Sequence, residues 1–194
     1  MSVTSPRRSA RDRLLDAADE LFYAEGVHTV GIDRVIEHAG VAKASLYSTF
    51  GSKDELVRAY LQRRHEERRE RITRGLERFG NPRDRLLGVF DVLADTAARP
   101  GFRGCAFYNA SAERHPSGAV KEGVVKEQAD ISRAWTRSLF VELAREAGAR
   151  DPEALAGQLV ILYDGALAGA RLDPGRDAPA LARVMASALL DAAV

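Results

Sequence analysis

One cysteine in 194 residues, Cys105, leaves no partner for an intrachain disulfide and too few thiols for a cysteine zinc cluster, which fits a reducing, cytoplasmic setting. Histidine is almost as sparse. His28, His38, His65 and His115 are scattered, and no H-E-x-x-H, P-loop, nucleophile elbow or dinucleotide fingerprint accompanies them. Cys105 and His115 form the only thiol and imidazole pair near in sequence, with no third orienting group, so the expectation is no enzyme, no metal and no cofactor. Long apolar runs are missing as well. The most apolar stretch, Leu159 to Ala170, is short and contains Asp164, and the opening MSVTSPRRSARDR is polar and basic, so neither a membrane span nor a leader is expected. No segment keeps a period-two alternation, which points away from strands. Excess charge of one sign is also absent. With a net charge of only +1, any affinity for nucleic acid has to come from a few well-placed cations and from two-fold repetition.

What is present is helical punctuation, densest between Gly26 and Leu56. Ile32, Val35, Ile36 and Ala39 recur at i, i+3, i+4 and i+7, one face of a short helix, and Gly40 follows where a left-handed residue closes a helix. Val41 restarts the pattern, Leu46 and Phe50 carry it, and Gly51 stops it. Two short helices around a glycine turn make a helix-turn-helix that needs a third helix to pack on. With Leu46 and Phe50 turned inward, Lys43, Ala44, Tyr47 and Ser48 face outward and Ser45 and Thr49 flank them. Such a narrow, small-residue face suits close approach to base edges in a major groove. Lys43 can reach a base or a phosphate, and Tyr47 can donate to a phosphate oxygen. Ser52-Lys53-Asp54-Glu55 then reads as a capping box, with Lys53 at a helix N-terminus that itself favours an anion. Residues 1–13 hold Arg7, Arg8, Arg11 and Arg13 against Asp12 alone, a basic arm leading into the first helix, either on phosphates or in a minor groove, with Arg7 and Arg8 as its contacts, or a solvated tail.

The ordered set resembles the TetR family of transcriptional regulators. Its carriers are Phe22 to Gly26 as F-x-x-x-G, the helix-turn-helix, then Leu46, Tyr47, Phe50, Lys53 and Leu56 in a Leu-Tyr-x-x-Phe-x-x-Lys-x-x-Leu run. Ala42, Ala44 and Thr49 depart from the residues usual at their positions, which bears on the bases read and not on the binding mode.

Along the rest of the chain, a first helix starts near Ser9 and ends at Gly26, with Leu14, Leu15, Ala18, Leu21 and Phe22 on one face. A fourth begins near Lys53. Its stretch from Gln62 to Arg71 lacks apolar residues and reads as a polar strut held by ion pairs such as Glu67 with Arg71. Breaks at Gly80-Asn81-Pro82, Arg99-Pro100-Gly101, His115-Pro116-Ser117-Gly118, Asp151-Pro152 and Asp173-Pro174-Gly175 separate five further helices. The long one, Ala119 to Ala147, is expected to bury Val124, Val125, Ala129, Ile131, Trp135, Leu139, Phe140 and Leu143. The expected architecture is all-α with about nine helices: a DNA-binding domain over 1–52, a connecting helix over 53–79, and an effector-binding and dimerisation domain over 80–194.

The resemblance implies more about that last domain. Gly104 to Ala110, G-C-A-F-Y-N-A, looks like the G-C-x-F-x-N segment of one subgroup, and the family encloses a small-molecule pocket among such helices. Phe90, Cys105, Phe107, Asn109, Trp135 and Tyr163 are the expected lining residues, unless they are simply core. The family also pairs its final helices with their copies across a two-fold axis, which assigns Leu162, Ala166, Gly169, Leu181, Met185 and Ala188 to a dimer interface, unless the glycines serve packing within the chain. A dimer would offer two recognition helices to half-sites about 34 Å apart. The leading expectation is a ligand-responsive repressor that binds a palindromic duplex DNA operator as a homodimer. The rival is an architectural DNA-binding protein without an effector.

Overall fold

The structure is a computed structural model that describes residues 8–113 and 120–194. Arg7, the His115-Pro116-Ser117-Gly118 break and the expected helix start at Ala119 lie outside the described residues. Among those residues all regular structure is helical: α1 Ala10–Glu25, α2 Ile32–Ala39, α3 Lys43–Phe50, α4 Lys53–Leu76, α5 Pro82–Ala97, α6 Ala106–Ala112, α7 Glu122–Glu146, α8 Pro152–Leu172 and α9 Ala178–Ala193. No described helix is long and apolar enough to cross a membrane.

The starts of these helices follow from their caps. Ser9, Asn81, Asp151 and Asp177 each accept from the backbone N–H three residues on, Asp12, Asp84, Ala154 and Ala180 respectively, at 2.8 to 3.1 Å. Each bond satisfies an N–H that has no partner within the helix. Pro82 and Pro152 take first-turn positions where a missing N–H costs nothing. Gly40 closes α2 in the left-handed conformation, φ 60° and ψ 42°, and its carbonyl accepts from Arg13 Nη2 at 2.5 Å.

Packing divides the chain into two units. One takes the chain up to Arg64 together with Ala106–Ala129, and the other takes His65–Cys105 together with Asp130–Val194. In the first, α1 buries Leu14, Leu15, Ala18, Leu21 and Phe22 beneath α2 and α3, and the start of α4 adds Leu56, Val57, Tyr60 and Leu61. Phe22 meets Tyr60 edge-on at 5.6 Å between centroids. Arg63 pairs with Asp16 and Arg64 with Asp19, both at 2.6 Å, and the Arg64 guanidinium lies 4.0 Å from the Tyr23 ring centre. The middle of α4 is therefore not a uniformly solvated strut: two of its arginines lean on α1, and His65 is only 8% exposed.

The second unit has a large apolar core. Leu86, Leu87, Val89, Phe90, Val92 and Leu93 of α5 meet Phe140 and Leu143 of α7, Leu155, Leu159 and Tyr163 of α8, and Ala186 and Leu190 of α9. Here the expected stripe of α7 needs correction. Ile131 is 47% exposed, whereas Gln128, Ser132 and Thr136, polar residues at i, i+4 and i+8, are buried. The reason lies on α4. Arg68 Nη2 donates to the Ser132 carbonyl at 3.0 Å, the Ser132 hydroxyl at 2.6 Å and the Thr136 hydroxyl at 3.0 Å, so this face of α7 is selected for acceptors and not for apolar surface. Trp135 lies beside them, with His65 edge-on at 5.9 Å and the Arg68 guanidinium 5.6 Å from its ring centre.

Burial first, and the Arg68 charge second, hold the His65 imidazole below its ordinary pKa. A base that is harder to protonate when folded supports stability above its unfolded pKa and loses that support as pH falls through the folded value. Melting curves of wild type and His65→Phe between pH 7 and pH 5 are expected to diverge, with wild type losing more on acidification. Parallel curves would contradict the assignment.

Candidate nucleic-acid interface

The reading surface is built by α2 and α3 on the platform of α1. Leu46, fully buried, fixes the rotation of α3, while Phe50 is half-buried with the Arg11 guanidinium 5.7 Å from its ring centre. That rotation leaves Lys43, Ala44, Tyr47, Ser48 and Thr49 exposed and Ser45 half-buried. In this structure Lys43 is held by an acid. Its Nζ lies 2.8 Å from Asp33 Oδ1 of α2, and that bond raises the lysine pKa. Thr49 donates to the Ser45 carbonyl at 2.6 Å and Ser48 to the same oxygen at 3.2 Å, so both hydroxyls are turned back onto their own helix. Tyr47 is 47% exposed. Neither α2 nor α3 has a side-chain cap, since Gly31 and Ala42 occupy those positions.

Ser52 caps α4 by accepting from the Glu55 N–H at 3.2 Å. Lys53 is half-buried beside this cap, and burial holds its pKa below the usual lysine range against the opposing pull of Glu113 and Asp54. Arg8 is exposed and pairs with Asp16 at 2.5 Å. Asp33 is the residue that pattern reading missed. It reads as an ordinary first-turn acid of α2, and only the fold brings it to Lys43, ten positions later. Asp33→Asn releases that cation and removes a carboxylate from the surface, so affinity for duplex DNA is expected to rise by roughly 3- to 10-fold, with a salt slope steeper by about one. A filter-binding series at several salt concentrations checks both, and an unchanged slope would mean that Lys43 does not reach phosphate.

The residues expected to line an effector site are divided between the two units. Phe90 and Tyr163 are buried together, rings 6.4 Å apart, with Phe140 completing an aromatic trio, and burial pushes the Tyr163 phenol above its ordinary pKa. Cys105 and Trp135 are half-buried in the same unit. Phe107, buried, and Asn109, half-buried, belong to the unit that carries α1 to α3. The residues assigned to a dimer interface also fall into two groups. Leu181 and Met185 are 60% and 56% exposed and Ala188 is exposed, whereas Leu162 is half-buried and Ala166 is 3% exposed. A Cβ on Gly169 would stand 2.7 Å from the Ala178 Cβ, so Gly169 faces α9 of its own chain.

Known proteins share this arrangement. A family model described as bacterial regulatory proteins, tetR family, matches residues 14–60, and one described as tetracyclin repressor-like, C-terminal domain, matches residues 82–187. A crystal structure of a TetR-family transcriptional regulator from Streptomyces coelicolor superposes with a TM-score of 0.78 at 35% identity, covering 94% of this chain and 93% of that one. The transcriptional activator FasR of Mycolicibacterium smegmatis is 37% identical over 90 residues, 46% of this chain and 41% of its own length. The transcriptional repressor NemR of Escherichia coli is 30% identical over 105 residues, 53% of each chain. The chain thus spans about two-fifths to a half of these two named regulators. Its family is one of transcriptional regulators and not of enzymes. Motif, fold and sequence agree: the chain belongs to the TetR family of bacterial regulatory proteins.

Proposed function

We propose that the protein is a cytoplasmic, ligand-responsive DNA-binding transcriptional regulator, a repressor that binds a palindromic operator as a homodimer and is released by a small apolar or amphipathic effector. The observation that carries this reading is the outward face of α3, where Lys43, Ala44, Tyr47 and Ser48 present one cation, one phenol and otherwise small groups on a helix whose N-terminus has no side-chain cap. Free N–H groups there, with Lys43 once Asp33 yields it, suit phosphate and base-edge contacts. Residues 1–52 are the reading head, 53–79 the connection, and 80–194 the effector and dimer portion.

Dimerisation is supported by the apolar outer face of α8 and α9, where Ile161, Leu181, Val184 and Met185 are each more than half exposed. An effector site is supported by the polar cluster of Arg68, Ser132 and Thr136 beside Trp135, in a unit whose apolar core also carries Cys105. Ligand would weaken DNA binding only by favouring a conformer that fits successive major grooves less well, and the coupling is reciprocal.

Selection of duplexes from a random pool tests the reading. An enriched inverted repeat bound by two protomers is the expected result, and a promoter carrying it, read by a reporter, gives the sign of regulation. A pool that yields no enriched sequence would overturn it.

A further inference from the structure

Glu113, directly after α6, reaches the turn that joins α1 to α2. Its carboxylate accepts from the His28 N–H at 2.9 Å and the Val27 N–H at 3.3 Å. Both are donors at the end of α1 with no helical partner. The seat beneath the carboxylate is Gly26. A Cβ at that position would stand 2.6 Å from Glu113 Oε2 and 2.7 Å from Oε1, and Gly26 holds φ at +104°, which disfavours any other residue. The glycine of the F-x-x-x-G motif therefore ends α1 and also admits a carboxylate from a segment 87 positions further along the chain. Lys53 at the start of α4 feels the same negative charge. The backbone of Glu113 is fastened in turn, because its N–H donates to the Asn109 carbonyl of α6 at 3.2 Å.

We infer that Glu113 is a positioning residue for DNA recognition: its carboxylate ties α6 to the α1–α2 turn and so fixes the angle at which α2 and α3 are presented. The turn is also held from within the reading head, by the Val30 N–H donating to the Gly26 carbonyl at 3.2 Å and by the buried side chains of Val27 and Val30, and Glu113 is the tie that reaches it from α6. A charge-assisted pair of hydrogen bonds to consecutive amides is among the stronger ways to hold a short backbone segment in one orientation. The inference rests on the proposed DNA-binding role.

The test uses the full chain and the duplex that wild type enriches from a random pool. Glu113→Ala is expected to speed hydrogen exchange at the Val27 and His28 amides. It should also weaken duplex binding by about 10-fold or more at a temperature where the variant is fully folded, with the salt slope unchanged because no phosphate contact is removed. Glu113→Gln retains an acceptor oxygen and is expected to stay within about 3-fold of wild type. A residue needed only for stability would shift the melting midpoint and leave affinity at that temperature untouched. Equal affinity in wild type and Glu113→Ala overturns the inference alone, as does unchanged exchange at both amides. A wild type that enriches no duplex overturns the DNA-binding reading together with it.

Discussion

Changing Leu181 and Met185 together to Asp is expected to leave a folded monomer that binds its duplex roughly 100-fold more weakly, with about half the wild-type salt slope. The two side chains are 60% and 56% exposed within the protomer, so carboxylates there meet water and cost the isolated chain little. Across a two-fold axis the same carboxylates would be buried without partners, a penalty large enough to separate the subunits. One recognition helix then makes half the phosphate contacts of two. Ala166→Asp provides the contrast. Ala166 is 3% exposed inside its own chain, so that substitution should unfold the protomer and not merely divide a dimer. Sedimentation and thermal melting separate the two outcomes, and a Leu181 and Met185 double variant that remains dimeric would place the interface elsewhere.

Phe90→Ala is expected to lower the unfolding free energy by about 3–5 kcal/mol, the range for emptying a packed aromatic site. Phe90 is fully buried and touches both Phe140 and Tyr163, so its removal leaves a cavity lined by two rings that cannot both close on it. Denaturant midpoints measure the loss. A cost of about 1 kcal/mol or less would mean that the trio surrounds space already open, which would favour Phe90 as a wall of the effector site over Phe90 as core.

Much of the fold was legible because its punctuation is local. Ser9, Asn81, Asp151 and the glycines after α1, α2 and α3 mark helix ends by chemistry that acts within four residues, and the structure puts the ends there. The faces of the helices were less legible wherever a polar residue was the one to be buried. Ile131 belongs to the apolar stripe of α7 yet is 47% exposed, whereas Ser132 and Thr136, which carry no apolar signal, are buried because Arg68 of α4 donates to them. Apolar periodicity cannot see such a partner. The last helix shows the same limit in another form. Leu181, Val184, Met185, Ala188 and Leu189 make a clear apolar stripe, yet Leu181, Val184, Met185 and Ala188 are exposed, while Ala182, Ala186 and Leu190 face the core and Leu189 is half-buried against it.

Within the candidate interface, the outward residues of α3 were readable from Leu46 and Phe50 alone. Asp33 and Glu113 were not. Each acts over a distance in sequence that no local pattern spans, one holding Lys43 and the other holding the turn at Gly26.

Base reading by the outer face of α3 is checked by repeating the random-duplex selection with Ala44→Arg and Ser48→Ala variants beside wild type. The preferred base is expected to change at positions related by the two-fold axis, in both half-sites, while the spacing between half-sites stays the same. An identical preferred sequence from all three proteins would contradict it.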